Sequence, residues 1–289
     1  MNNRQKELGE FYKELRLARG VKQKDVARGN LTASQLSKFE QGQCMLSADR
    51  LLQAVEGINM TFAEFGHALN GYKDRPFMIF GHRLSQAFFE KDLLALEALL
   101  AELDNDNIHQ RLLQVMVKNA IFSLDPSRKI FEEDIELLTT YLYDVEQWTA
   151  FELYLFTNTV SVLDVSDIIF LGRALIKRSI LYHSLHNNKR MYKFALLNIV
   201  STLLERKELS LIEYFMSELR KVLDYEDVFI SVMSEFLEQF YKYSVLGTID
   251  LEDLKAYLDA LVILKNPELL GILHLKLEQL LTIYDKTTD

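Results

Sequence analysis

A short polar segment near residue 35 carries the side chains whose chemistry is easiest to interpret. Its hydroxyl, amide and ammonium groups belong to Thr32, Ser34, Gln35, Ser37 and Lys38. Leu36 and Phe39 have the spacing of a buried helix face, so the polar groups should lie on the exposed face. Hydroxyl and amide groups hydrogen-bond to base edges and phosphates, and lysine binds phosphate or guanine. The segment therefore predicts a helix that contacts double-stranded DNA.

The residues before this segment predict a turn that positions it. Gln23–Arg28 has the composition of a short helix, and Gly29 and Asn30 tolerate the left-handed conformation that ends one. Thr32 and Gln35 have the spacing of a capping box, which begins the next helix. Two short helices joined by a tight turn form a helix-turn-helix, which places its second helix in the major groove. An ordinary helical hairpin with a polar exposed face is the alternative.

Three further helices are predicted around this motif. Apolar residues with helical spacing mark one helix before it and two after it: Leu8, Phe11, Tyr12 and Leu15; Leu51, Leu52 and Val55; Phe65 and Leu69. Ser47 is the expected cap of the fourth helix, and Thr61 and Glu64 form a capping box at the start of the fifth. We therefore predict a compact DNA-binding head over residues 1–66, a linker over 67–75 and a second domain over 76–289.

Charge is distributed unevenly along the chain. Residues 1–50 contain ten Lys or Arg and six Asp or Glu, a formal charge of about +4, whereas the whole chain carries −9. A basic end on an acidic protein predicts that only this end contacts a polyanion. The candidates for phosphate and base contacts are Arg16, Arg19, Lys22, Gln23, Lys24, Thr32, Ser34, Gln35, Ser37 and Lys38.

The segment Leu31–Gly42 resembles the recognition region of the Rgg family of bacterial regulators. The likeness lies in Ser34 and Ser37, followed by Lys38, Phe39, Glu40 and Gly42, and in a turn one residue shorter than in most repressors of this type. Lys22 departs from the pattern, because many such heads have a serine or threonine cap there. The resemblance implies a lambda-repressor-type head and a right-handed superhelix of tetratricopeptide-like repeats that binds short signalling peptides in quorum sensing.

Residues 76–289 have a helical pattern throughout. Apolar residues recur at three- and four-residue spacing in the segments 77–90, 92–103, 108–122, 130–145, 148–163, 167–184, 189–205, 208–222, 226–243, 250–264 and 267–284. Paired helices of this length favour an all-α solenoid of stacked helical hairpins over a closed bundle. No apolar run approaches the roughly 20 residues that span a bilayer, and Met1–Arg4 begins no signal peptide. We therefore expect a cytoplasmic protein without membrane contact.

Two asparagines indicate a hydrogen-bonding role in the second domain. Asn158 and Asn198 lie in the middle of apolar segments, although asparagine is a poor helix former. Their amides both donate and accept, which suits the backbone of an extended peptide. Bonding to a neighbouring helix is the alternative, and Asn119 is a third candidate.

Other side chains are candidates for binding the rest of such a peptide. Arg83, Arg173 and Arg178 have the guanidinium fork that pairs with a ligand carboxylate. Phe80, Trp148, Phe151, Phe156 and Phe170 have the size to line apolar pockets, or else belong to the core. The predicted peptide site comprises Arg83, Trp148, Phe151, Asn158, Arg173 and Asn198.

Cys44 is the single cysteine, so an intrachain disulfide is excluded and a reducing compartment is favoured. Because it follows the recognition helix closely, two heads meeting about a two-fold axis would bring two Cys44 thiols together as an interchain disulfide. A free thiol packed under Leu46 and Leu51 is the alternative. His183 and His186 supply only two metal ligands, and no phosphate loop or nucleophile motif is present. We therefore expect no enzyme activity, metal or cofactor.

These features together predict a homodimeric transcription regulator that responds to a short hydrophobic peptide. The apolar stripe within Leu269–Leu281 is a candidate two-fold interface, or else a helix that closes the solenoid core. Peptide binding would alter how the heads are held, and so change operator binding or recruitment of RNA polymerase. A constitutive dimeric repressor without a peptide ligand and a helical protein–protein adaptor are the alternatives.

Overall fold

The computed structural model describes residues 3–73, 76–177, 186–263 and 265–285. These residues form helices, turns and loops without a β-strand. The chain divides into two compact units, Met1–His82 and Arg83–Asp289. Arg178 and His183, two candidate ligand residues, lie outside the described residues. Within the described ranges no helix is both long and apolar enough to cross a bilayer.

Unit 1 contains the predicted helices. They are α1 Asn3–Ala18, α2 Gln23–Val26, α3 Ala33–Glu40, α4 Ala48–Gly57 and α5 Phe62–Leu69, and α6 Pro76–Phe89 crosses the division between the units. The capping boxes at Thr32 and Thr61 are both confirmed. Lys22 and Ser47 occupy the N-cap positions of α2 and α4 without a side-chain capping bond. Gly29 has the left-handed φ of 55° that the turn after α2 requires.

The apolar faces of α1–α5 meet in one core. Its buried members are Tyr12, Leu15, Val26, Leu31, Leu36, Phe39, Ala54, Val55, Ile58, Met60 and Phe65. α1 approaches α3 so closely at Gly9 that a Cβ there would lie 1.9 Å from the Phe39 carbonyl oxygen. Leu52 and Leu69, two of the apolar residues that mark α4 and α5, are exposed and lie outside this core. Residues 67–69, predicted as part of a linker, are the last residues of α5.

In the described part of unit 2, the helices follow the predicted segments to within a few residues, and the predicted end of the segment 167–184 lies outside that part. Its helices are α7 Leu93–Ala101, α8 Ile108–Leu124, α9 Glu132–Asp144, α10 Ala150–Thr159, α11 Val165–Lys177, α12 His186–Glu205, α13 Ile212–Val222, α14 Val228–Tyr241, α15 Leu251–Val262 and α16 Pro267–Ile283. Pro76 and Pro267 begin α6 and α16, where the missing N–H of proline is harmless. A 3₁₀ turn, Val160–Val162, follows α10 directly.

Alternate helices of unit 2 form a row. α8, α10, α12, α14 and α16 pack side by side in that order, and the intervening α9, α11, α13 and α15 pack against members of this row. This is the arrangement of stacked hairpins, so the all-α, solenoid-like prediction is confirmed. The leucine stripe of α16 is buried within the unit. It therefore closes the core and is not a free surface for a dimer interface.

Candidate functional site

Arg16 and Glu40 form a buried ion pair that fixes α3 against α1. Arg16 Nε and Nη2 lie 2.6 and 2.8 Å from the two carboxylate oxygens of Glu40, and the side chains are 7% and 1% exposed. Arg16 Nη1 donates to the Val21 carbonyl oxygen at 2.6 Å, and Gln23 Nε2 donates to Glu40 at 2.7 Å. The hydrogen bonds with Glu40 raise the pKa of Arg16. All three guanidinium nitrogens are thus engaged inside unit 1.

The prediction that Arg16 contacts phosphate was therefore wrong. This guanidinium is buried and paired with a carboxylate, so it cannot reach a phosphate of a bound duplex without breaking that pair. The amide nitrogen of Gln23 is engaged with the same carboxylate. Arg16 instead positions α3, whereas a DNA contact by Gln23 stays a prediction, because one N–H and the amide oxygen of Gln23 are left for a ligand.

The outward side of α3 presents polar groups in contact with solvent. Ser34 and Lys38 are exposed, and Ser37 is half-buried with its hydroxyl accepting a bond from Gln41 Nε2 at 3.2 Å. Thr32 Oγ1 accepts from the Gln35 backbone N–H, and Gln35 Oε1 accepts from the Thr32 backbone N–H. These two side chains therefore orient the start of α3. The amide nitrogen of Gln35 is the donor that remains for a ligand.

Further cations lie at the end of α1 and on α2. Arg19, Lys22 and Lys24 are exposed. Arg19 Nη1 donates to the Leu15 carbonyl oxygen of its own helix at 3.4 Å. In the described part of the chain, no carboxylate lies within ion-pair distance of Lys22, Lys24 or Lys38. These cations can therefore meet a polyanion without first breaking an ion pair.

Two other features of unit 1 bear on α3. Cys44 is half-buried against the core, with its Sγ 3.9 Å from the Gln35 carbonyl oxygen, as in the packed-thiol alternative. An interchain disulfide at Cys44 stays a prediction. No local pattern indicated the bond from Asn30 Nδ2 to Asp49 Oδ2, at 2.6 Å, which ties the turn before α3 to α4. Hydrogen bonds from Ser47 and Asn30 lower the pKa of Asp49.

The three asparagines of unit 2 lie on neighbouring helices of the row. Asn119 Nδ2 on α8 donates to the Asn158 carbonyl oxygen at 2.8 Å, and Asn198 Nδ2 on α12 donates to the Thr157 carbonyl oxygen at 2.8 Å. Both carbonyls belong to the last turn of α10, where regular intrahelical partners run out. Asn158 Nδ2 bonds to the Tyr154 carbonyl oxygen of its own helix. The structure thus brings the asparagines together, with their amide nitrogens already donating.

The other predicted peptide contacts are dispersed. Trp148 is 2% exposed, donates to the Leu142 carbonyl oxygen and packs on Phe156, so it belongs to the core and its prediction as a ligand contact was wrong. Arg83 is paired with Glu102 through two hydrogen bonds of 2.7 and 2.6 Å. Arg173 lies over the ring of Tyr214, on α11 and α13 rather than on the row that carries the asparagines.

Phe151 remains a candidate contact on α10. It is half-buried, with ring centroids of His109 and Tyr141 at 5.1 and 6.3 Å. A cleft between the first turns of α12 and the segment 224–230 was missed. Its two walls are about 30 positions apart in the chain, so the sequence does not show that they meet. The one local indication was the pair Lys189 and Lys193, which are four apart and share a helix face.

Replacing Glu40 with Gln is expected to destabilise unit 1, because the buried Arg16 would have no countercharge. Breaking a buried pair costs about 3–5 kcal/mol, whereas exposed pairs contribute about 0–1 kcal/mol. Glu56→Gln is the matched control, since Glu56 and Arg28 form an exposed pair at 3.5 Å. Hydrogen exchange of the α3 amides should quicken in Glu40→Gln and not in Glu56→Gln. Equal protection in both variants would contradict the assigned role.

Asn119→Ala is expected to destabilise unit 2 by about 1–3 kcal/mol, because a part-buried carbonyl loses its side-chain donor. Asn119 also accepts a bond from Ser161 Oγ at 3.1 Å. Asn158→Ala is the control, since the Asn158 amide nitrogen bonds within its own helix, and its effect should stay within about 0.5 kcal/mol. Urea unfolding followed by circular dichroism gives both values. A larger destabilisation in Asn158→Ala than in Asn119→Ala would contradict the structural role that is assigned to Asn119.

Comparison with known proteins places this fold. Residues 97–271 match the family model described as HTH-type transcriptional regulator Rgg, C-terminal domain. The Streptococcus dysgalactiae SHP pheromone receptor Rgg2 is 21% identical, with 94% of this chain and 99% of that chain covered and a TM-score of 0.74. A Listeria monocytogenes EGD-e protein is 16% identical, with 98% and 100% covered and a TM-score of 0.78.

A third similar structure is a bacterial peptide pheromone/receptor complex, 16% identical, with 95% of this chain and 98% of that chain covered and a TM-score of 0.67. At such identities these likenesses concern the fold. The family model is different evidence, because it matches more than half of the chain. This chain therefore belongs to the Rgg family of HTH-type transcriptional regulators.

Proposed function

We propose that this chain binds double-stranded DNA through the outward side of α3 and regulates transcription in the cytoplasm, with no catalytic role. The observation that carries the proposal is the two-sided nature of α3. Its apolar residues and Glu40 are buried, whereas Ser34 and Lys38 are exposed. Base edges would be contacted by Ser34, Lys38 and the amide nitrogen of Gln35. Phosphates would be contacted by the side chains of Arg19, Lys22 and Lys24 and by the hydroxyl groups of Thr32 and Ser37.

We also propose that two copies act together. One helix-turn-helix contacts only a short half-site, and specific affinity requires two of them. Cys44 follows α3 closely, which supports an interchain disulfide when two heads meet under oxidising conditions. The contacts that join two copies lie outside the leucine stripe of α16, because that stripe is already buried.

We infer that unit 2 senses a short, mostly hydrophobic signalling peptide, as in quorum sensing. The supporting features are the two similar structures of pheromone receptors and the row of α8, α10 and α12. Peptide N–H groups would donate to the amide oxygens of Asn158 and Asn198, whose nitrogens are engaged. Phe151 would contact an apolar side chain of the peptide. Arg83 would contact the peptide only after its ion pair with Glu102 is broken, and Arg173 only after it moves away from the ring of Tyr214.

Peptide binding would favour one arrangement of the stacked helices over another. A ligand shifts such an equilibrium by the difference between its affinities for the two states. The favoured arrangement would change how the heads meet an operator or RNA polymerase. Whether the peptide activates or relieves repression depends on which arrangement holds the heads in the DNA-binding state.

DNA binding is tested by its salt dependence. Lys24→Gln and Lys38→Gln should each weaken binding to the duplex upstream of the gene and lower the slope of log K against log salt by about 0.9 for each phosphate that is no longer neutralised. Lys221→Gln is the control, because its exposed side chain lies in unit 2 beside Glu218. Gel shifts at several salt concentrations give the slopes. Absence of duplex binding by the unaltered chain would favour the adaptor alternative.

Peptide sensing is tested by thermal shift of the full chain with a panel of apolar octapeptides. A bound peptide should raise the melting temperature, because it stabilises only the folded state. Phe151→Ala should weaken binding by about tenfold, because less apolar surface is buried against the peptide. Phe170→Ala is the matched control, since Phe170 is exposed on α11 beside Tyr143. No shift with any peptide would favour the constitutive repressor.

A further inference from the structure

The cleft at the start of α12 has one wall on that helix and one on the segment 224–230. Its volume is about 280 Å³. Acidic and basic side chains share the lining with aromatic rings. Six of the nine lining residues are charged, so a small group bound there would be held mainly by charged contacts beside the rings of Phe194 and Phe229.

Two of the cations in the cleft are already neutralised. Lys193 is almost fully buried and forms ion pairs with Asp224 and Asp227, and Lys189 Nζ lies 2.7 Å from Asp224. Asp227 also accepts a bond from the Asp224 backbone N–H at 2.9 Å. The hydrogen bonds from Lys189 and Lys193 hold the pKa of Asp224 well below its usual value. This network holds the segment 224–227 against α12 and forms a rigid wall.

Arg190 is the cation that this network leaves unused. It is exposed, with its guanidinium carbon 5.6 Å from the centroid of the Phe194 ring. In the described part of the chain, no carboxylate lies within ion-pair distance of it. Stacking on an aromatic face leaves the N–H edges of a guanidinium directed outward, where they match a carboxylate. Phe229 lies 5.9 Å from Phe194 and extends the apolar surface.

We propose that this cleft binds a carboxylate of the peptide at Arg190, with the adjoining apolar side chain against Phe194 and Phe229. This inference rests on the proposed peptide-sensing function. Arg190, Phe194 and Asn198 follow one another at four-residue spacing, so they share a face of α12. Arg190 and Asn198 are about 12 Å apart along the helix. That distance is spanned by roughly four residues of extended peptide, which links the carboxylate subsite to the asparagines.

The test uses three pools of apolar octapeptides and the full chain. The first pool has free carboxyl termini, the second has the same sequences as C-terminal amides, and the third consists of amides with one internal aspartate. Thermal-shift titration should show the free acids binding about tenfold more tightly than the uncharged amides, as expected for one charge-assisted pair. About tenfold tighter binding of the aspartate amides than of the uncharged amides, with no such gain in the free acids, would identify a side-chain carboxylate as the source. Weaker binding of those amides would identify the terminus.

Arg190→Gln should remove the preference for charged peptides while leaving binding of the uncharged amides unchanged. Arg220→Gln is the control, because Arg220 is an exposed arginine of α13 that lies outside the cleft, pairs with Glu238 and has no part in the proposed peptide site. Circular dichroism checks that both variants fold. Equal binding of the free acids, the uncharged amides and the aspartate amides by the unaltered chain would overturn the cleft proposal alone. An undiminished preference for carboxylates in Arg190→Gln would do the same. Failure of every pool to bind would overturn peptide sensing as well.

Discussion

The buried pair of Arg16 and Glu40 determines the direction in which α3 faces. A carboxylate that is 1% exposed is strongly destabilising without a partner, so the last turn of α3 must stay where one guanidinium reaches both of its oxygens. Gly9 adds a second constraint, because only a residue without a side chain allows α1 to lie against the Phe39 carbonyl. With the inner side of α3 held at both points, Ser34 and Lys38 can only face outward. The exposure of these two side chains, on which the proposed DNA binding depends, thus follows from contacts on the opposite side of the helix.

In unit 2, polar side chains fix the end of α10 by hydrogen-bonding to its backbone carbonyl groups. Asn119 and Asn198 reach its last carbonyls from the two neighbouring helices. Arg206 donates to the carbonyl oxygens of Ser161 and Leu163 just beyond them. Because α10 runs directly into a 3₁₀ turn, its end would otherwise leave carbonyl groups without regular partners. These asparagines are therefore explained first by folding. A ligand could use the amide oxygens of Asn158 and Asn198 and the second N–H of each amide nitrogen.

Local patterns in the sequence predicted the helices and their caps, because both depend on residues within four positions of one another. The capping box of Thr32 and Gln35 is an example. Long-range polar contacts were not predictable in this way. Arg16 looked like a member of a basic surface cluster, since its partner is 24 residues away. Trp148 looked like a ligand contact because size alone does not distinguish a pocket from a core. The cleft at Arg190 depends on two segments that only the stacking of α12 and α14 brings together.

The strength of individual contacts limits how a peptide can regulate such a protein. Reversing a population from roughly 1:99 to 99:1 requires about a 10⁴-fold difference in affinity between the two states. One hydrogen bond to a charged group contributes about 1.5–3 kcal/mol, or roughly 10- to 150-fold. A carboxylate at the proposed Arg190 subsite would therefore supply less than the required difference in affinity, even when it binds only one of the two arrangements. In the proposed sensing role, the remaining difference in affinity would come from apolar side chains of the peptide and from backbone bonds along α12 and α10. A ligand of several residues meets that requirement, and a row of stacked helices supplies enough length to contact it.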